Sequence, residues 1–355
     1  MRELNSKDSQ SFFSFIIQQK LLSTQSKKKY NFEIQKLLNM RRIKSQGLLV
    51  LFIAFLSVNI TQAQFVSDTM SLQKAHNIFS IKLDNSTYES LNLSLFLQFP
   101  EEVVYDDQEF ISLQIKNSDA SSDLKKLEFA RVYLPSLCHE EMPSNELIYN
   151  FPMELWQKYL VEAGEVSLVL SGEPQGLKAW ISLDYEKGKA LSNVKQIIPL
   201  WQYDDSANSD YYLEKSINWP SDTYLSYIQI ITSGRHQDDF DRKNAAHFYF
   251  LKLNGEELAK REVWRDDCGF NPIFPQGKDW YEPRANWCPG LKVNSFVHII
   301  PAHFYKNDSL KFQMEFQKKK VEDSGIDYFI TSAVLFILEK PTYKLNASLQ
   351  EIISK

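Results

Sequence analysis

CGFNPIFPQGKDWYEPRANWCPG, running from Cys268 to Gly290, holds two of the chain's three cysteines, two tryptophans, four prolines and one arginine. So many prolines and glycines exclude a helix or a regular strand, so the segment is a loop. Two cysteines at this separation can close a disulfide around it, which would present Trp280, Arg284 and Trp287 on a stiff frame. Outward from this loop the chain reads as β-structure. Apolar runs of strand length recur at 91–99, 110–115, 127–134, 166–170 and 177–183, and again at 224–232, 246–253, 296–300, 309–316 and 328–338. Short alternating runs separated by polar turns predict antiparallel sheets packed as sandwiches. The one helix predicted is short, 153–163.

The first 63 residues are not read as fold. Met40-Arg41-Arg42-Ile43-Lys44 is a basic start, residues 47–58 are an apolar run of secretory length, and Ala63 offers the small residue at a cleavage point. The division expected is a mis-assigned upstream extension at 1–39, a signal peptide at 40–63 and sandwiches at 64–192 and 193–340, with a tail at 341–355. The apolar run is shorter than the roughly 20 residues of a membrane span, so no stable membrane insertion is expected after cleavage. An anchor with a basic cytoplasmic tail is the rival reading. The destination is secreted, periplasmic or cell-surface, where a Cys268–Cys288 disulfide persists and Cys138 is left unpaired. Asn-x-Ser/Thr sites such as Asn85-Ser86-Thr87 and Asn307-Asp308-Ser309 are candidate glycosylation points.

Removing the leader's ten basic and three acidic residues leaves 30 and 42, a net charge of −12. That sign repels phosphate backbones, so nucleic acid is not an expected partner. About 290 mature residues call for two cores rather than one.

The WYEPRANWCPG end of the loop resembles the peptide-N-glycosidase F family. So do Ile197-Ile198-Pro199-Leu200-Trp201-Gln202-Tyr203, the strand end Ile230-Ile231-Thr232-Ser233-Gly234, the run 327–338 and the Ala130-Arg131-Val132-Tyr133 strand. The resemblance implies an all-β fold of two eight-stranded antiparallel jelly rolls side by side, with a site in the cleft between them. It implies an amidase that cuts N-linked glycan from asparagine without a metal or other cofactor, so the expected partner is an N-glycan or glycopeptide. In that chemistry a carboxylate activates water and donors hold the oxyanion. Arg284 would hold a carboxylate or a sugar hydroxyl, and Trp287 and Trp280 would face the sugar. Alternatively, Arg284 and Trp287 only hold the loop together.

The resemblance does not carry its acids across. Anchored on Ala130 and Val132, the essential aspartate falls on Leu127. Glu128 beside it would point to the opposite face of a regular strand. A second acid falls on Lys243, with Asp239 and Asp241 as its nearest substitutes, and a third on Ser171 or Glu173. His236, with Asp238 to orient it, is the histidine placed for cleft chemistry. Three readings follow: an amidase using Asp239 or Asp241, a non-catalytic carbohydrate- or peptide-binding protein, and a copper-dependent monooxygenase on the shared fold. For the last, His298 and His303 lack the clustering that copper needs. His298, in an apolar strand, reads as a core histidine.

Overall fold

The computed structural model describes residues 63–340 apart from 74–76, 101–107, 118–123, 137–144, 174, 190–193, 203–211, 221, 236–247, 274–275, 278 and 318–327. The expected leader, the tail, Cys138, His236, Asp238, Asp239, Asp241 and Lys243 lie outside the described residues.

The first half contains β1 (Ala63–Val66), β2 (Met70–Ser71), β3 (Asn77–Ser80), β4 (Tyr88–Gln98), β5 (Phe110–Lys116), β6 (Lys126–Tyr133), β7 (Glu146–Pro152), α1 (Gln157–Ala163), β8 (Glu165–Leu170) and β9 (Lys178–Lys187). Its two sheets run β1-β9-β4-β7, with β2 also on β9, and β3-β8-β5-β6. The second half contains β10 (Val194–Trp201), β11 (Tyr212–Asn218), β12 (Leu225–Arg235), β13 (Phe248–Leu253), β14 (Glu256–Glu262), β15 (Ser295–Ile299), β16 (Ser309–Phe316) and β17 (Tyr328–Leu338). Its sheets run β10-β17-β12-β15 and β11-β16-β13-β14. With the two-residue β2 set aside, both halves show the same antiparallel strand order, first-eighth-third-sixth facing second-seventh-fourth-fifth. That order is a jelly roll. β1 begins at Ala63, where the expected leader ends.

The β10-β17-β12-β15 sheet is covered on both faces, which explains why β17 reads YFITSAVLFIL without alternation. Leu335 and Ile337 point into the second sandwich's own core with Ile228 and Ile230. Val334, Phe336 and Leu338 point the other way, into the core of the first. Phe336 stacks on Tyr227 at 4.9 Å and meets Trp156 edge-on at 5.1 Å. Tyr159 of α1 donates its hydroxyl to the Ile197 carbonyl and accepts from the Ile197 amide, each at 3.0 Å. The two sandwiches therefore share an apolar, aromatic seam.

The helix is shorter than its apolar spacing predicts. Residues 154–156 form a turn shortly after Pro152, and α1 starts beyond it. Gly164 ends it at φ +61°, a left-handed conformation that favours glycine.

Candidate functional site

Polar chemistry enters the seam at β6. Leu113 pairs with Ala130 but Gln114 pairs with Glu128, so Phe129 is an extra, unopposed residue: a β-bulge. The bulge corrects the sequence expectation for Glu128. In a regular strand Glu128 would share a face with Ala130, away from Arg131. Here Leu127, Phe129, Ala130 and Val132 all turn into the first core. Glu128 instead joins Arg131 and Tyr133 on the seam face. Its oxygens accept from Arg131 Nε at 3.0 Å and from Arg131 Nη2 at 2.7 Å. Both side chains are 0% exposed.

Arg131 then reaches across the seam. Its Nη1 donates to Ser233 Oγ at 2.9 Å and to the Ile330 carbonyl at 2.7 Å, both in the second sandwich. Its guanidinium carbon lies 5.1 Å from the centre of the Phe110 ring. Tyr133 Oη shares a 3.0 Å hydrogen bond with Ser233 Oγ. Phe110, Tyr133, Ile231, Trp287, Val293 and Ile330 form a small apolar cluster around these bonds. A buried charge pair must have its hydrogen-bonding capacity filled, and this network fills it from both sandwiches.

The disulfide loop closes the seam from the second sandwich. Cys268 and Cys288 are bonded, with their Cα atoms 5.4 Å apart. The chain leaving the loop runs along the free edge of β6. The Tyr133 amide donates to the Leu291 carbonyl at 3.0 Å, Gly290 N to the Tyr133 carbonyl at 3.1 Å, and Val293 N to the Arg131 carbonyl at 2.9 Å. The Tyr149 hydroxyl donates to the Gly290 carbonyl at 2.9 Å. Gly290 is required here: φ is +77°, and a Cβ would stand 2.9 Å from Ile273 Cδ1 and 3.3 Å from Pro135 Cβ.

Arg284 and Trp287 come together, but inside the loop. Trp287 is 0% exposed and stacks on Tyr133 at 4.3 Å with an 18° tilt. The Arg284 guanidinium sits 4.3 Å from the Trp287 ring centre. Arg284 Nη2 also donates to the Asp279 carbonyl at 3.1 Å. In this arrangement both side chains are buried, and they pack the loop on Tyr133. Trp280 is half-buried, edge-on to Tyr281 at 6.1 Å.

The loop also exposes two rings to which the sequence reading assigns no role. Phe270 is 88% exposed and Tyr281 52%. Nearby, Arg265 donates from Nε and Nη2 to the two oxygens of Asp267 at 2.7 and 2.9 Å. That guanidinium holds the Asp267 carboxyl below the usual carboxylate range.

Among the described residues no group of three or more His, Cys, Asp or Glu stands close enough to hold a metal ion. His298 is a core histidine: its Nε2 lies 2.6 Å from the Tyr249 hydroxyl, and burial pushes the ring's pKa down to about 4. His303 lies on the surface, 3.6 Å from Glu256. No described helix is long and apolar enough to cross a membrane.

Residues 202–336 match the family described as Peptide-N-glycosidase F, C terminal. No curated protein sequence matches the chain. The fold is similar to that of a solved peptide-N(4)-(N-acetyl-β-D-glucosaminyl) asparagine amidase, with TM-score 0.63, 16% identity, and coverage of 79% of this chain and 98% of that one. It is also similar to PNGase F, a glycosylasparaginase from Flavobacterium meningosepticum, with TM-score 0.62, 15% identity, and coverage of 78% and 96%. PNGF-II gives TM-score 0.60 and 15% identity over 82% of this chain and 68% of that chain. At these identities the likeness shows the fold.

Proposed function

For a peptide-N-glycosidase F-like chain, whose second sandwich carries the family's C-terminal domain, we propose recognition of an N-linked glycan or glycopeptide beside the seam of the two jelly rolls, without the family's hydrolysis. The state of Glu128 carries this reading. It is the carboxylate next to the position where the resemblance places the essential acid, and the bulge does bring it to the seam. A general base must reach water and the scissile carbonyl, within hydrogen-bond distance of each proton it moves. Glu128 is sealed from solvent, with both oxygens occupied by Arg131. It serves the interface rather than a reaction.

One observation favours a second reading, an amidase built on other acids. β12 ends at Arg235, two residues past the Ser233 that bonds Arg131, and Asp239 and Asp241 follow it in the sequence. Those acids would then activate water in place of the sealed one, and His236 would lie at the start of the same segment.

The disulfide and the leader pattern together support export to an oxidising compartment. Incubation with a denatured N-glycoprotein across a broad pH range, followed by measurement of free glycan, separates the two readings. Recognition alone gives saturable glycopeptide binding with no release. An amidase gives release that Asp239→Asn or Asp241→Asn abolishes.

A further inference from the structure

The outer side of the disulfide loop carries rings that the seam does not use. Isolated exposed apolar residues are ordinary, but Phe270 and Tyr281 come from two arms of one stapled loop. A Cβ built on Gly269 would stand 3.8 Å from the Tyr281 Cβ, so the two arms touch where these rings emerge. Trp280 braces Tyr281 edge-on at 6.1 Å.

The arms are fixed. The Phe270 amide donates to the Asp267 carbonyl at 3.0 Å, and Arg265 and Arg284 exchange two backbone hydrogen bonds at 2.8 and 3.0 Å. Asn271 Nδ2 donates to the Pro289 carbonyl at 2.6 Å. A ligand meeting these rings therefore need not order them first, which removes a cost that weakens most binding at loops.

Acids stand beside the rings in the sequence: Asp266, exposed, accepts from Trp264 Nε1 at 2.7 Å, and Asp279 and Glu282 are neighbours of Trp280 and Tyr281 in the chain. Arg265, a neighbouring cation, is 8% exposed and spends its guanidinium on Asp267 and on the Lys292 carbonyl. Flat aromatic faces with acceptors beside them in the chain suit a neutral pyranose. Its C–H face covers the rings while its hydroxyls donate to carboxylates, and a carboxylated sugar meets like charge.

We infer that the outer face of this loop is a subsite for a neutral pyranose of the bound glycan, formed by Phe270 and Tyr281 with Asp266 and Glu282 as acceptors. The inference rests on the glycopeptide reading above and gives it a place and a charge preference.

The test titrates the full chain with a neutral oligomannose glycopeptide and with a sialylated glycopeptide, comparing wild type with the Phe270→Ala, Tyr281→Ala double variant. Both side chains are exposed, so the melting temperature should not move. The double variant should bind the neutral glycopeptide about tenfold more weakly, a change of about 1.4 kcal/mol. The conservative pair Phe270→Tyr and Tyr281→Phe should bind like wild type. Wild type should prefer the neutral probe at low salt, and Asp266→Asn with Glu282→Gln should narrow that preference. Undiminished binding by the double alanine variant overturns the subsite while leaving glycopeptide recognition intact. A wild type that binds neither glycopeptide overturns both.

Discussion

Glu128 gives both carboxylate oxygens to Arg131, three residues away on the same strand, because the bulge at Phe129 turns the two side chains to one face. Arg131 carries the pair's remaining bonds into the second sandwich at Ser233 and Ile330. One ion pair thus ties two jelly rolls together where the family resemblance anticipates an acid at work.

Removing one partner should therefore be far worse than removing both. Arg131→Met leaves a buried, uncompensated carboxylate and should cost about 3–5 kcal/mol in urea unfolding. Glu128→Leu combined with Arg131→Met should cost clearly less than Arg131→Met alone. Equal losses in the single and double variants would mean that the charges do not depend on each other.

Stability should fall as the pH drops from about 6.5 towards 4. Burial lowers the folded-state pKa of His298 from 6.5 to about 4, so between those values the unfolded chain takes up a proton that the folded chain refuses. The groups facing the ring are the Tyr249 hydroxyl, which bonds it, and Arg261, whose charge adds to the shift. The linkage is worth about 3 kcal/mol when complete. Urea midpoints at pH 7 and pH 4.5 check it, and His298→Gln should flatten the slope between them.

Gly290→Ala should destabilise the protein by roughly 1–3 kcal/mol. The backbone there is left-handed, and the new Cβ would press on Ile273 and Pro135. The same change at Gly255, where φ is +83° but nothing lies within 4 Å, isolates the conformational share of the cost. Thermal melts of the two variants give the comparison.

Opening the Cys268–Cys288 bond should lower stability by about 3 kcal/mol, the chain-entropy value for a loop of this size. Melting with and without a reductant measures it. The paired Cys268→Ser, Cys288→Ser variant should match the reduced protein.

Much of this fold is legible in the residues. The runs at 110–115, 166–170 and 309–316 lie inside strands, because one covered face and one open or polar face leave a readable alternation. β14, EELAKRE, was not legible: it is an edge strand with little apolar content, paired on β13 alone. β17 reads as a strand, but its continuous apolar run does not reveal that one face serves each sandwich. The site was harder to read. The sequence around Glu128 carries no mark of the bulge, which follows from how β6 registers on β5, and a one-residue shift exchanges the faces. The motif holding Arg284 and Trp287 locates the loop correctly, yet residue types cannot say which side of a loop faces water. The buried side went to Arg284 and Trp287, and the exposed side to Phe270 and Tyr281. Asp239, Asp241 and His236 lie outside the described residues.

The proposed role is to hold a glycopeptide without cutting it. The most direct measurement incubates the full chain with a fluorescent N-glycopeptide from pH 4 to pH 9, following binding by anisotropy and free glycan by chromatography in the same samples. Recognition without hydrolysis gives saturable binding with the glycan still on its asparagine at every pH. Free glycan appearing in proportion to enzyme, and vanishing in Asp239→Asn or Asp241→Asn, would contradict it.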